Sequence, residues 1–161
     1  MKRFICALFA ILMIVSLCAC SEQTSGNTAT DIASVKEQII NDLKMDGTMD
    51  IPASRLLDLY GIEEEWIADS QCFVTMEGVF PDEVIMLRAK DKDSVSKIQE
   101  KLEARLNEVK VQSQSYDPEN YAIAQECMVI TDDTVVALFL SPQHSKMEKI
   151  FETTPDVEFT E

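Results

Sequence analysis

Between residues 92 and 113 an apolar side chain returns every three or four positions, at Val95, Ile98, Leu102, Leu106 and Val109. At 3.6 residues per turn these five fall within an arc of roughly 80°, so the segment is a helix with one stripe that needs a surface to pack against. Asp91 is placed to cap it, and Asp93 sits in its positive first turn. On both sides of this helix the periodicity changes to that of strands. Ile67 to Met76 alternates, with Cys72, Val74 and Met76 on one face and Phe73 and Thr75 on the other. Gly78 and Pro81 punctuate a connection, and Glu83 to Lys90 (EVIMLRAK) reads as a second strand. Beyond the helix, Cys127 to Thr131 and Val135 to Leu140 (VVALFL) read as another hairpin turning at Asp132-Asp133. Ser115 to Asn120 between them reads as a turn or a short helix start.

Two further helices precede the strands. Ile32, Val35, Ile39 and Leu43 form a stripe that Thr30 or Asp31 can cap and Met45-Asp46-Gly47 ends. A shorter helix follows, with Pro52 in its first turn, Leu56, Leu57, Leu59 and Tyr60 as apolar positions and Gly61 as its stop. A last helix runs from Ser141-Pro142 to about Phe151. The order α-α-β-β-α-β-β-α predicts an α+β domain over residues 31–152. Its expected core is a four-stranded antiparallel sheet of two hairpins, with helices packed mainly on one face. Residues 153–161 are expected to be a frayed acidic tail.

The chain opens differently. Lys2-Arg3 is followed by 14 uncharged residues, Phe4 to Leu17. That run is short of the roughly 20 apolar residues of a membrane span and has the length of a secretory h-region. Then come Leu17-Cys18-Ala19-Cys20 and the polar stretch SEQTSGNTAT. This segment resembles the lipobox of bacterial lipoproteins: an aliphatic residue, two small ones, then the modified cysteine. The resemblance implies cleavage between Ala19 and Cys20, with residues 1–19 as signal peptide. It also implies a diacylglycerol on the Cys20 thiol and residues 20–30 as a tether. Two acyl chains, at about 0.8 kcal/mol per buried CH2, anchor stably where one does not. An uncleaved anchor, or secretion after cleavage elsewhere, is the alternative.

A second resemblance covers about residues 50–152. Leu59-Tyr60-Gly61-Ile62 precedes an acidic cluster. The run from Glu83 to Asp91 leads into a helix holding Leu102-Glu103-Ala104-Arg105-Leu106. Tyr116-Asp117-Pro118 follows, and Val136-Ala137-Leu138-Phe139-Leu140-Ser141 closes the pattern. This resembles the lipoprotein family called domain of unknown function 4358, which is frequent in Gram-positive anaerobes. Its motifs imply a fold and an extracytoplasmic, lipid-anchored place, and they imply no activity.

The charge narrows the partners. The chain has 29 acidic and 14 basic residues, for a net −15. Removal of Lys2 and Arg3 leaves 12 basic residues and a net −17. Nucleic acid is disfavoured by that balance, and so is adsorption on anionic headgroups, where each Lys or Arg adds about 1 kcal/mol of attraction. Seven of the 12 remaining cations lie between Arg88 and Lys110. Of these, Lys97, Lys101 and Arg105 recur at i, i+4, i+8 beside the apolar stripe of the long helix. Such like charges repel by roughly 0.2–0.5 kcal/mol per pair. Two readings offset that cost: pairing with acids of the same domain, or an anionic ligand or partner.

Little else carries chemistry. There is no G-x-S-x-G elbow, and His144 is the one histidine. Pairing it with Cys72 or Cys127 is possible on paper, but a packed histidine is the better reading. No zinc or calcium spacing occurs, and the four glycines are isolated, so no phosphate-binding loop can form. No cofactor is expected. Cys72 and Cys127 sit in apolar runs and read as small hydrophobes; outside the cell they could instead form a disulfide. The sequence thus points to a non-enzymatic, surface-anchored binding or accessory module acting on an envelope protein or a small ligand. A structural or chaperone-like envelope factor is the alternative, and a hydrolase ranks last. Replacing Cys20 with Ser is expected to move the protein from the membrane pellet to the soluble fraction; fractionation and immunoblotting of cells check this, and an unprocessed protein still in the pellet contradicts it.

Overall fold

The computed structural model describes residues 28–76, 82–154 and 156–158. Its strands are β1 (Thr28–Thr30), β2 (Thr48–Asp50), β3 (Ile67–Thr75), β4 (Glu83–Ala89), β5 (Val129–Asp132), β6 (Val135–Leu140) and β7 (Asp156–Glu158). The α-helices are α1 (Ile32–Asp42), α2 (Leu56–Tyr60), α3 (Lys92–Tyr116), α4 (Pro118–Glu126) and α5 (His144–Thr153). Five strands form an antiparallel sheet in the order β2-β3-β4-β6-β5, and β1 pairs with β7 in a sheet of two. The class is α+β, with five strands in the main sheet where four were expected.

The additional strand, β2, pairs Thr48, Met49 and Asp50 with Thr75, Val74 and Phe73. All three of its residues are exposed, so no alternation betrays it in the sequence. The larger correction concerns the faces. Helices were expected mainly on one side of the sheet, and they cover both. On one face Cys72, Ile85, Leu87, Val136, Leu138 and Leu140 pack with Leu56 of α2 and with Ile98, Leu102 and Leu106 of α3. On the other, Phe73, Val84, Met86, Val135, Ala137 and Phe139 pack with Ile32, Val35 and Ile39 of α1 and with Met147 and Phe151 of α5. The reason is legible in β6. All six residues of VVALFL are buried, and a strand without polar alternation has no face to give to water.

Local chemistry fixes the helix ends. The Asp31 carboxylate accepts from the amides of Ala33 and Ser34, and that of Asp91 from Ser94. These bonds, led at Asp31 by the Ser34 hydroxyl and at Asp91 by the Ser94 amide, hold both carboxyls below the usual range. Gly61 ends α2 in the left-handed region, at φ 67°. After α1 the left-handed residue is Lys44, at φ 53°, with Gly47 at φ 65° further into the turn. The long helix runs past residue 113 to Tyr116. Asp117 ends it and caps α4, a full helix where only a turn or helix start was expected. Pro118, at the first position of α4, stops α3 and starts its successor.

Thr28–Thr30 and Asp156–Glu158 lie in the segments expected as tether and tail, and they pair as β1 and β7. The expected signal peptide, the Ala19–Cys20 junction and the lipidation position lie outside the described residues. Among the described residues no helix is long and apolar enough to cross a membrane.

Phe139 tests the second covered face. It is 1% exposed and meets the ring of Phe151 edge-on at 6.0 Å. Phe139→Ala is expected to cost about 3–5 kcal/mol, read as a lowered midpoint in urea unfolding. A cost within about 0.5 kcal/mol, the range typical of surface changes, contradicts a covered face.

Candidate functional site

A cleft of about 330 Å³ opens where α3 and α4 meet the Glu83 end of β4 and the Leu140 end of β6. Glu83 and Leu140 are cross-strand partners on the face that carries α3. Glu83 is an acid at the head of a strand that is apolar from Val84 to Leu87, and it is only 9% exposed. A buried carboxylate needs a cation. Arg105, projecting from the middle of α3, supplies it with two parallel bonds: Nε to Oε1 at 3.1 Å and Nη2 to Oε2 at 2.8 Å. The same guanidinium gives Nη1 to Glu108 at 3.0 Å. These bonds, Glu83 first, push Arg105 further up, so it stays charged. From α2 the half-buried Tyr60 faces the pair; burial, then the Glu83 charge, pushes its titration well up.

The remaining walls follow from helix geometry. Val109 and Gln112 lie four and seven residues beyond Arg105, on the same side of α3. The Gln112 amide donates to Glu108 at 3.0 Å. The Ser113 hydroxyl turns back to the Val109 carbonyl at 2.7 Å. Across the cleft, the Asp117 carboxylate accepts the Asn120 amide N–H at 3.1 Å and the Asn120 side chain at 2.6 Å. The lining is thus apolar at Val109 and Leu140 and polar elsewhere. Its one cation is shared between two carboxylates.

The basic residues singled out in the sequence are distributed differently from a continuous stripe. Arg105 reaches the cleft. Lys97 holds its ammonium 5.3 Å from the centre of the Trp66 ring. Lys101 lies over the turn that ends α2, its Cε and Nζ each 3.7 Å from where a Cβ on Gly61 would stand. Arg105 alone of the three therefore belongs to the site, and as half of an ion pair. Sequence reasoning missed Glu83, Tyr60, Asp117 and Asn120. A signal for Glu83 existed: a charged residue opening the apolar run Val84 to Leu87 demands a partner.

Cys72 and Cys127 are free and buried. Cys72 lies on β3, and Cys127 precedes β5; three strand spacings of about 4.8 Å separate those strands, well beyond the roughly 7 Å a disulfide spans. Burial pushes the Cys72 thiol up to about 12 and raises Cys127 too. Cys127 Sγ donates to the Ile123 carbonyl at 3.3 Å. His144, 8% exposed at the start of α5, places Nδ1 at 3.2 Å from Glu148 and Nε2 at 3.6 Å from Glu126. A second cavity, of about 530 Å³, lies at the opposite corner, where Thr30 and Thr154 meet Asp132 and Phe151. Among the described residues no three His, Cys, Asp or Glu side chains are grouped to hold a metal ion.

A family model described as Domain of unknown function (DUF4358) matches residues 41–141. The chain belongs to this family. The match spans more than half of the sequence and takes in every residue of the cleft, from Glu83 to Leu140, together with Tyr60. It leaves out most of α1, all of α5 and the β1–β7 pair. No curated protein and no solved structure matches the chain.

Two outcomes follow from the buried groups. Arg105→Met strands the Glu83 carboxylate and is expected to cost about 3–5 kcal/mol, whereas joining it with Glu83→Leu is expected to recover most of that; urea unfolding of the single and double variants checks this. At high pH the sign is set by Cys72 and Tyr60. Both keep their protons in the folded state when the unfolded chain has lost them, so the native state binds more protons and stability falls as pH rises. For Cys72 the window runs from about 9, its ordinary value, to about 12. Thermal melts should therefore weaken above pH 9, and Cys72→Val should make the decline shallower.

Proposed function

We propose that this protein is an extracytoplasmic lipoprotein, held by acyl chains on Cys20, whose domain is a non-enzymatic binding module that takes its ligand in the α3–α4 cleft. The observation that carries the binding role is the cleft. It just exceeds the roughly 300 Å³ at which small-ligand sites begin. It also combines two apolar walls with convergent amide, hydroxyl and carboxylate groups. Anchoring rests on Leu17-Cys18-Ala19-Cys20 behind an uncharged run of 14 residues. A Gram-positive envelope is the expected setting.

The electrostatics select the ligand. Arg105 is neutralised by Glu83 and Glu108, and Asp117 adds a further negative charge. An anion meets net negative charge there, so a neutral or cationic polar ligand is favoured. The alternative anionic partner of Lys97, Lys101 and Arg105 has to compete with Trp66 and two carboxylates. The absence of chemistry in this reading is supported by thiols that burial keeps protonated and by a histidine engaged with two acids.

A second reading, a structural or chaperone-like envelope factor, is favoured by exposed apolar residues near the β2 edge. Met49 pairs with Val74, and Met76 follows on the same face; they are 52% and 71% exposed. A photo-crosslinking residue at Gln112 in the anchored protein separates the two readings. A binding module is expected to give a discrete adduct in its own cells that Val109→Trp, which fills the cleft, abolishes. Adducts that survive Val109→Trp, or that form equally from exposed Glu37 on α1, contradict the cleft.

A further inference from the structure

We infer that the cleft points away from the membrane, so that its ligand arrives from the aqueous side and is not a lipid headgroup. This rests on the reading that Cys20 carries the anchor.

The chain enters the domain at Thr28, eight residues after Cys20. From there it is fastened at one corner. The Thr30 hydroxyl donates to Asp132 at 2.6 Å, and Arg88 donates through Nη2 to the Thr30 carbonyl at 2.8 Å. Thr30 is 2% exposed. Arg88 and Asp132 both pair with Val135, at the start of β6 and on the face that carries α1 and α5.

The cleft occupies the diagonal corner. Glu83 and Leu140 lie at the other end of the same two strands, five residues on, or about 17 Å at 3.4 Å per residue. They also belong to the opposite face. The long helix makes the same journey. It starts beside the end of β4 at Lys92 and reaches Val109 after 17 residues, about 26 Å at 1.5 Å each. End and face are therefore both reversed between the entry point and the cleft. A domain held by its entry corner carries the diagonal corner outermost. Glu83, Glu108 and Asp117 outnumber Arg105 at that corner, so anionic headgroups are repelled from it and do not draw it down.

The test uses the full lipoprotein, purified from membranes and reconstituted into phosphatidylcholine–phosphatidylglycerol vesicles with an acceptor dye on a headgroup. A donor dye replaces exposed Glu152, at the end of α5 near Thr154, or exposed Glu119, at the start of α4 beside the cleft. Co-flotation is scored first. Protein that fails to float overturns the anchoring reading, and this inference with it. For floating protein, energy transfer is expected to be several-fold stronger from position 152 than from position 119; equal or reversed transfer overturns the inference and leaves anchoring intact. A photo-crosslinker at Gln112 is expected to give no lipid adduct in the same vesicles, and such an adduct overturns it as well.

Discussion

The burial of β4 and β6 on both faces is the constraint from which the rest of the domain follows. Val135 to Leu140 contains no polar side chain, and β4 is apolar from Val84 to Leu87. Strands of this kind sit at the centre of a sheet with a layer on each side. One layer is α2, α3 and α4, and the other is α1 and α5. Edge positions then fall to β2 and β5, whose three and four residues carry polar groups that water accepts.

A sheet so covered leaves room for a site only at its ends, where a helix leaves the surface and a neighbour has not yet closed over it. The α3–α4 corner is such a place. Asp117 breaks α3, Pro118 restarts the chain at a new angle, and the gap left beneath is the cleft. The ion pair of Glu83 and Arg105 fixes one wall and takes up the charge of both residues. A buried pair of this kind is weak evidence for stability, because desolvation offsets much of the attraction. Its position at the mouth of a cavity makes specification of shape the better account of it. Tyr60 of α2 feels the charge of the same carboxylate.

Much of this was legible in the chain. The long helix, the strands β3, β4, β5 and β6, the Asp31 and Asp91 caps and the Gly61 stop all follow from spacing and from single residues with one physical use. What escaped had no local pattern. β2 is three exposed residues; its pairing with β3 is a long-range event that leaves no trace in Thr48-Met49-Asp50. The second layer of helices was signalled by VVALFL, which lacks the polar alternation of a half-exposed strand, whereas the element order alone suggested one layer. The basic stripe shows the same limit. Helical spacing placed Lys97, Lys101 and Arg105 on one side of α3, but Trp66, the Gly61 turn and Glu83 each engage a different one.

Sequence alone determined the class of the domain, the boundaries of α1, α2, α3 and α5 to within a few residues and its acidic charge, because each depends on neighbours within one or two turns. It also supplied the resemblance of Leu17-Cys18-Ala19-Cys20 to a lipobox, on which the expected anchoring rests. The tertiary structure decided what no short window contains: helices on both faces, two thiols held apart by intervening strands, and a cleft built from residues as distant as Glu83 and Asn120. Such features depend on which apolar surfaces meet, and that is settled by burying all of them at once.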